Sequence, residues 1–185
     1  SNKIIYRNKA KSNDDIYVTG NLGDSYLGLK ALSNRAKFIN KDKLFFIDKY
    51  YKPNLPLNLT KYLLKFANSS IDVSDGLIDD LIKMINKQNL SFHLYEKKIP
   101  VSVKFSNLIK KQRLNKINLT SKGDDYQILF TADVNKTRII QNASKATGIK
   151  ITKIGKIITG KNRSFIFDEK GKQIQAKSKG YIHQF

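Results

Sequence analysis

The sequence has 185 residues, of which 40% are hydrophobic, so it can form one ordinary domain with a sizeable core or two small ones. It contains no cysteine, which excludes disulfides and thiolate metal sites and is compatible with the cytoplasm. No apolar run approaches the roughly 20 residues that cross a bilayer, so we expect no membrane association.

Strands and helices are predicted to alternate along the chain. Residues 36–54 are apolar and aromatic but end at Pro53 and Pro56, which predicts an irregular connection. The last two strands are expected to pair antiparallel around Gly160. This pattern predicts one α+β domain, in which a mixed β-sheet is covered by α-helices. Strands are predicted at residues 15–19, 70–74, 90–95, 126–131, 151–158 and 164–167. Helices are predicted at residues 23–34, 57–67, 103–112 and 135–146, and over about a dozen residues after Gly76.

The formal net charge of +20 at first suggests a nucleic-acid partner. However, the chain has 30 lysines and only five arginines, and the lysines are spread over its whole length. Recognition of bases and phosphates favours the planar fork of arginine. We therefore interpret most of the charge as a solvated surface that can steer phosphate-bearing ligands, and we expect no nucleic-acid partner.

The negative charge is concentrated instead: six of the thirteen Asp lie within residues 72–80 and 124–125. The first of these segments places Asp72, Ser74 and Asp75 at the end of a predicted strand. Asp72 and Ser74 would share one face, because side chains alternate along a strand. Two carboxylates and a hydroxyl form a cluster of hard oxygen ligands that suits Mg²⁺, with phosphate oxygens and water completing the shell.

An ordinary helix start explains the same residues. Ser74 or Asp75 could cap the helix, and Asp79 could pair with Lys83 one turn later. For Asp79 we favour this structural role. For Asp72 and Asp75 the spacing alone leaves both interpretations open.

Two further segments contain polar groups beside glycines. Residues 121–127 hold the adjacent carboxylates Asp124 and Asp125 before a predicted strand, a pattern that is often only a solvated loop. Residues 19–25 form a strand–glycine–helix passage that could present backbone N–H groups to a phosphate. Neither His93 nor His183 has a partner at a recognisable spacing, so nothing predicts a nucleophilic catalyst.

Taken in order, these segments resemble the thiamine-monophosphate kinase family, which belongs to a superfamily with aminoimidazole ribonucleotide synthetase and selenophosphate synthetase. Residues 70–81 are similar to its Ile-Asp-x-Ser-Asp-Gly-Leu-x-x-Asp-Leu motif, and residues 123–126 to its Gly-Glu-Asp-Tyr motif. Residues 7–14, 15–29 and 180–183 resemble its lead-in, its Thr-Gly-x-Leu-Gly turn and its closing motif. The resemblance covers essentially the whole chain, but only the carboxy-terminal domain of the family.

The resemblance implies transfer of the γ-phosphoryl group of ATP to thiamine monophosphate, with Mg²⁺ as cofactor. It implies that Asp72 and Asp75 bind Mg²⁺ and that Ser74 and Arg7 contact ATP. It further implies that Asp124 and Tyr181 bind the thiamine part of the substrate. A carboxylate and an aromatic ring suit that cationic heteroaromatic group.

The resemblance also has implications for the partners of this chain, and the chain differs from the family pattern at two positions. We expect this chain, residues 1–185, to be a single carboxy-terminal domain whose amino-terminal domain is absent, and the full-length protein to be a homodimer. We therefore expect the isolated chain to be inactive. Asp124 stands where the family usually has Glu, and Gln127 where another Glu is common, which leaves the substrate contacts open.

Other functions remain possible on the sequence alone. A sister enzyme of the superfamily would share the handling of ATP and Mg²⁺ but act on a different second substrate. A basic nucleic-acid-binding module would explain the charge, although clustered arginines are absent. A member that has lost its activity would keep the fold, but the presence of Asp72, Ser74 and Asp75 argues against that.

Overall fold

A seven-stranded mixed sheet is the centre of the computed structural model, which describes residues 4–33, 38 and 40–175. The strand order is β2-β4-β1-β5-β3-β6-β7. Neighbouring strands are antiparallel except β3 and β6, which are parallel. The strands are β1 Asp15–Thr19, β2 Ala67–Asp72, β3 Leu90–Tyr95, β4 Ile128–Ala132, β5 Ile151–Thr159, β6 Phe165–Phe167 and β7 Gln173–Gln175.

Helices pack on both faces of this sheet, which confirms the predicted α+β class with a mixed sheet. None of those in the described part of the chain is long and apolar enough to cross a membrane. The helices are α1 Asp24–Leu32, α2 Asn40–Tyr51, α3 Thr60–Leu63, α4 Leu77–Ile85, α5 Val103–Gln112, α6 Lys116–Thr120 and α7 Thr137–Thr147.

The core has a separate part on each face of the sheet because side chains alternate along the central strand β1. Ile16 and Val18 join the main cluster, which contains the apolar side of α4, including Leu77 and Leu81. Tyr17 points to the other face and joins a second cluster with residues of β4 and α7. A third cluster joins α1, α2, α5 and α6 through four buried side chains: Leu27, Phe46, Phe105 and Leu119.

Several predicted elements differ from the structure. Residues 36–54 were expected to be irregular, but residues 40–51 form α2, because Phe46 is buried against α1. The helix predicted at 57–67 is shorter in the structure: a 3₁₀ turn at Leu57–Leu59 leads into α3, which ends at Leu63, and Ala67 already begins β2. The short helix α6 was not predicted.

The predicted antiparallel pair of the last two strands is also wrong. Strand β3 lies between β5 and β6, pairing antiparallel with the first and parallel with the second. The strand expected to begin at residue 126 begins at Ile128, because the left-handed backbone of Tyr126 (φ 50°) interrupts the extended chain. The strand-pairing error and the missed helix α2 concern contacts between different segments of the chain, whereas the start of β4 is set locally by the backbone of Tyr126.

The contact between α1 and α2 generates a test of the packing. A Cβ atom on Gly28 would collide with the carbonyl oxygen of Phe46 and the Cβ of Tyr50. We expect Gly28→Ala to lower the free energy of unfolding by about 1–3 kcal/mol, even though alanine is the better helix former. Urea denaturation measures the change.

Leu29→Ala, on the exposed side of the same helix, is the control, and should change the free energy of unfolding by less than about 1 kcal/mol. A Gly28→Ala variant as stable as the parent would contradict the close approach of the two helices.

Candidate functional site

Three of the segments singled out in the sequence meet at one end of the sheet. Strand β1 ends at Thr19, β2 ends at Asp72, and β4 begins at Ile128. Because β4 lies between the other two and runs antiparallel to both, these three ends are adjacent. The loops that follow β1 and β2 and the loop that precedes β4 therefore form one surface.

Backbone hydrogen bonds join the loop after β2 to the loop before β4. The N–H of Asp124 donates to the carbonyl of Ser74 (3.0 Å), and the N–H of Tyr126 donates to the carbonyl of Val73 (2.9 Å). Gly123 permits this approach: its φ is 85°, and a Cβ atom there would collide with the Ser74 carbonyl oxygen. The Asp124 backbone therefore lies directly beside Ser74.

The predicted metal ligands lie on this surface. Asp72 is exposed at the end of β2, Ser74 is half-buried, and the side chain of Asp75 is 42% exposed. Strand β2 ends two residues before Ser74, but Val73 still donates to the carbonyl of Gln127 (2.8 Å) and its side chain is buried in the core. The chain thus remains ordered up to the turn into α4.

The chemistry of these donors fits Mg²⁺, since that ion is typically bound by one or two carboxylates together with phosphate oxygens and water. Within residues 4–33, 38 and 40–175, no group of three or more His, Cys, Asp or Glu side chains could hold a metal ion. Asp72 and Asp75 would therefore be a partial set of ligands that other groups must complete.

Asp80, for which the sequence predicts no role, organises the turn that holds Ser74 and Asp75. Its side chain is fully buried, and its Oδ2 accepts hydrogen bonds from the N–H groups of Ser74, Asp75 and Gly76 at 3.0, 3.0 and 3.1 Å. Burial raises the pKa of the Asp80 carboxyl to about 6, although hydrogen bonds from the N–H groups of Gly76 and Ser74 lower it. The signal in the sequence was an Asp within the first turn of a helix that follows a glycine.

Lys83 lies one turn further along α4. Its Nζ donates to Oδ1 of Asp80 at 2.9 Å and also forms an ion pair with Asp75. Spacing predicted Asp79 as its partner; the hydrogen bonds to Asp75 and Asp80 were not foreseen. Asp79 itself is 8% exposed.

Asp125 connects the loop before β4 to the loop after β1. Its carboxylate accepts hydrogen bonds from the N–H groups of Gly23 (2.7 Å) and Ser25 (3.4 Å) at the start of α1. Those N–H groups were candidates for binding a phosphate, and that prediction is wrong for these two because Asp125 already occupies them. Burial raises the pKa of Asp125 to about 8, and the carboxyl is not part of a solvated loop.

Gln127 reinforces the same connection. Its Oε1 accepts a hydrogen bond from the Thr19 hydroxyl (2.9 Å), and its Nε2 donates to the carbonyl of Asn54 (2.8 Å). An amide side chain can accept and donate at the same time, whereas an ionised carboxylate only accepts. Gln127 therefore has a structural role in joining these loops.

A cavity of about 250 Å³ adjoins these loops on the side of α1 and α2. Asp24 and Asp125 line it, together with Phe45 and Lys49. Asp24 is 7% exposed and accepts a hydrogen bond from the Ser102 hydroxyl at 2.7 Å. Burial raises the pKa of Asp24 to about 6, although Ser102 and Lys49 lower it.

The other predicted site residues, Asp124, Arg7 and Tyr181, have fewer described contacts with this surface. The side chain of Asp124 is partly buried, which raises its pKa. Arg7 is exposed in the segment before β1, and among the described residues no hydrogen bond or ion pair joins it to Ser74. Tyr181, like His183, lies outside the described residues. The roles expected for these residues therefore remain predictions.

Asp24 generates a test of the electrostatics. Because its pKa of about 6 lies above the ordinary value of 3.8, its contribution to stability is complete below pH 4 and is lost as the pH rises through about 6. The parent protein should lose free energy of unfolding between pH 4 and pH 7 as Asp24 ionises. We expect Asp24→Asn to reduce that loss by about 2–3 kcal/mol. Urea denaturation across this pH range measures the slope.

Asp48→Asn, at an exposed position of α2, removes the same charge and should leave the slope unchanged. If Asp24→Asn and Asp48→Asn behaved alike, burial would not control the titration of Asp24.

Several proteins of known function are similar to this chain in sequence. No protein-family model matches it. A thiamine-monophosphate kinase of Buchnera aphidicola subsp. Acyrthosiphon pisum is 34% identical over 185 residues, covering 97% of this chain and 55% of that protein. The thiamine-monophosphate kinase of Escherichia coli (strain K12) is 31% identical over 182 residues, covering 98% and 55%.

Solved structures agree with the sequence comparison. The structure of AaThiL complexed with AMPPCP and TMP has a TM-score of 0.79 and 26% identity, and the match covers 99% of this chain and 55% of that one. The hydrogenase maturation protein HypE of E. coli, at 13% identity and a TM-score of 0.75, shares the fold alone. The chain spans about half the length of the curated relatives that it matches. Over that length, the chain is similar in sequence and in fold to thiamine-monophosphate kinases.

Proposed function

We propose that this chain supplies part of the active site of an enzyme that transfers the γ-phosphoryl group of ATP to thiamine monophosphate. The observation that supports this most is the backbone pairing of residues 73–74 with residues 124–126, which puts the expected nucleotide contact Ser74 beside the expected substrate residue Asp124. A donor and an acceptor of a phosphoryl group must bind close together for direct transfer. The relative AaThiL was solved with AMPPCP and TMP together, which agrees with such a pair of ligands.

The chain would be the carboxy-terminal domain of a two-domain, cytoplasmic kinase. Its relatives are nearly twice as long, so a further domain would provide the rest of the site. Two carboxylates alone are a sparse set of Mg²⁺ ligands, which is consistent with additional ligands outside this chain. By the same resemblance, the full-length protein would be a homodimer.

Phosphoryl transfer depends on positioning and charge neutralisation, so the site does not require a nucleophilic side chain. Asp72 and Asp75 would bind Mg²⁺, which would neutralise phosphate charge when bound. The Ser74 hydroxyl and Arg7 would donate hydrogen bonds to ATP. Asp124 and Tyr181 would hold the thiamine part, where a positive thiazolium ring would favour the ionised form of the Asp124 carboxyl.

The test of this function uses the full-length gene product that contains the chain, with ATP, Mg²⁺ and a panel of second substrates. The panel contains thiamine monophosphate, formylglycinamidine ribonucleotide and selenide, and the readouts are ADP release and product mass. We expect thiamine diphosphate as the product, and we expect Asp72→Asn to lower kcat/KM by roughly 100-fold or more, since it removes a charge that the transition state requires.

Asp48→Asn serves as the charge-matched control and should keep the parent's kcat/KM. Product formation from another member of the panel would keep the superfamily but overturn the substrate. Absence of product from every member, with salt-sensitive nucleic-acid binding instead, would overturn the enzyme assignment.

Asp124 provides a separate test of the substrate assignment. We expect Asp124→Asn to raise the KM for thiamine monophosphate about tenfold, because the positive ring loses its counter-charge, while the affinity for AMPPCP changes little. Steady-state kinetics and equilibrium binding measure the two effects. Equal losses in both would place Asp124 at the nucleotide instead.

A further inference from the structure

The ammonium group of Lys83 occupies a position that matters for the proposed metal site. It donates to two carboxylates at once, that of the buried Asp80 (2.9 Å) and that of the partly exposed Asp75. Asp75 is one of the two residues expected to bind Mg²⁺. A metal ion and an ammonium group seek the same lone pairs of a carboxylate, so Lys83 is a competitor of the metal within the same chain.

Asp80 differs from Asp75 in how firmly it is held. Asp80 is fully buried and accepts three backbone N–H groups as well as the ammonium group, whereas the side chain of Asp75 is 42% exposed. Asp80 is therefore a fixed anchor, and Asp75 is the partner that Lys83 can release. The side chain of Lys83 is itself 37% exposed, which leaves it room to move away from Asp75.

We propose that Lys83 is an internal counter-ion of the metal site, which neutralises Asp75 until Mg²⁺ replaces it, while Asp80 anchors Lys83 and the turn that presents Ser74 and Asp75. Lys83 and Asp80 are positioning residues in this scheme. No covalent bond changes: the ammonium group loses its hydrogen bond to Asp75 and keeps the one to Asp80. The inference rests on the proposed function, because it takes Asp75 as a metal ligand.

The positive charge of Lys83 determines whether its removal strengthens or weakens Mg²⁺ binding. An ammonium group beside Asp75 repels an incoming divalent cation and must give up an ion pair when the cation binds. Removing it should therefore tighten Mg²⁺ binding. In the partly exposed setting of Lys83 and Asp75 we expect roughly a tenfold effect.

The experiment measures the Mg²⁺ concentration that gives half-maximal binding of AMPPCP to the full-length gene product. We expect Lys83→Met to lower this concentration about tenfold and Lys83→Arg, which keeps the charge, to stay near the parent. Lys87→Met is the matched control: it removes the same charge at an exposed position just beyond the end of α4. We expect it to change the concentration by less than about twofold, because salt screens exposed charges.

Two results would overturn the proposed replacement of Lys83 by Mg²⁺ at Asp75 while leaving the proposed function intact. In the first, Lys83→Met leaves the Mg²⁺ requirement unchanged or raises it; in the second, Lys87→Met lowers it as much as Lys83→Met does. A parent protein that binds AMPPCP without any dependence on Mg²⁺ would overturn the proposed metal site and this replacement together.

The anchoring role of Asp80 has its own readout, the amide proton resonances of Ser74, Asp75 and Gly76. A neutral amide accepts hydrogen bonds more weakly than a carboxylate, so Asp80→Asn should move these three resonances upfield. Resonances that keep the parent's shifts would show that Asp80 does not hold the turn. A variant that fails to fold would leave the Lys83 series as the deciding measurement.

Discussion

Two buried carboxylates that accept backbone N–H groups hold the functional end of this sheet together. Asp80 binds three N–H groups of the turn into α4, and Asp125 binds two at the start of α1. A buried polar group is costly unless hydrogen bonds compensate it, and the backbone N–H groups of these turns supply such bonds to both side chains. Asp125 joins the loop before β4 to the loop after β1, while Asp80 holds the turn after β2 against α4. Backbone hydrogen bonds from Asp124 and Tyr126 to Ser74 and Val73 join that turn to the loop before β4.

The order of the strands explains why these loops meet. Strands β1, β2 and β4 are separated in sequence by up to about a hundred residues, yet β4 lies between the other two and runs against both. Core clusters on both faces of the sheet fix the strands in this order. The rigid sheet thus carries polar loops at one end, a common way to position a binding site.

Charge has two different roles in this protein. The many lysines are spread over the chain and give it the overall charge of +20, which favours the approach of anionic ligands such as nucleotides and phosphates. The few carboxylates act locally, and their environments differ: Asp72 is exposed, while Asp24, Asp80 and Asp125 are buried and have raised pKa values. Lys83 belongs to the local group, because it lies between Asp75 and Asp80.

The sequence by itself determined the α+β class, strands β1 and β3, helices α1, α4, α5 and α7, and the polar segments that form the candidate site. Each of these has a local signal, such as apolar periodicity or carboxylates beside a glycine, within about a dozen residues. Only the tertiary structure decided that β3 separates β5 from β6, that residues 40–51 form a helix against α1, and that Asp80 and Asp125 accept the backbone N–H groups of turns. Those features depend on contacts between different segments of the chain or on the direction of one side chain. Neither produces a periodic pattern of residues that could be recognised in the sequence.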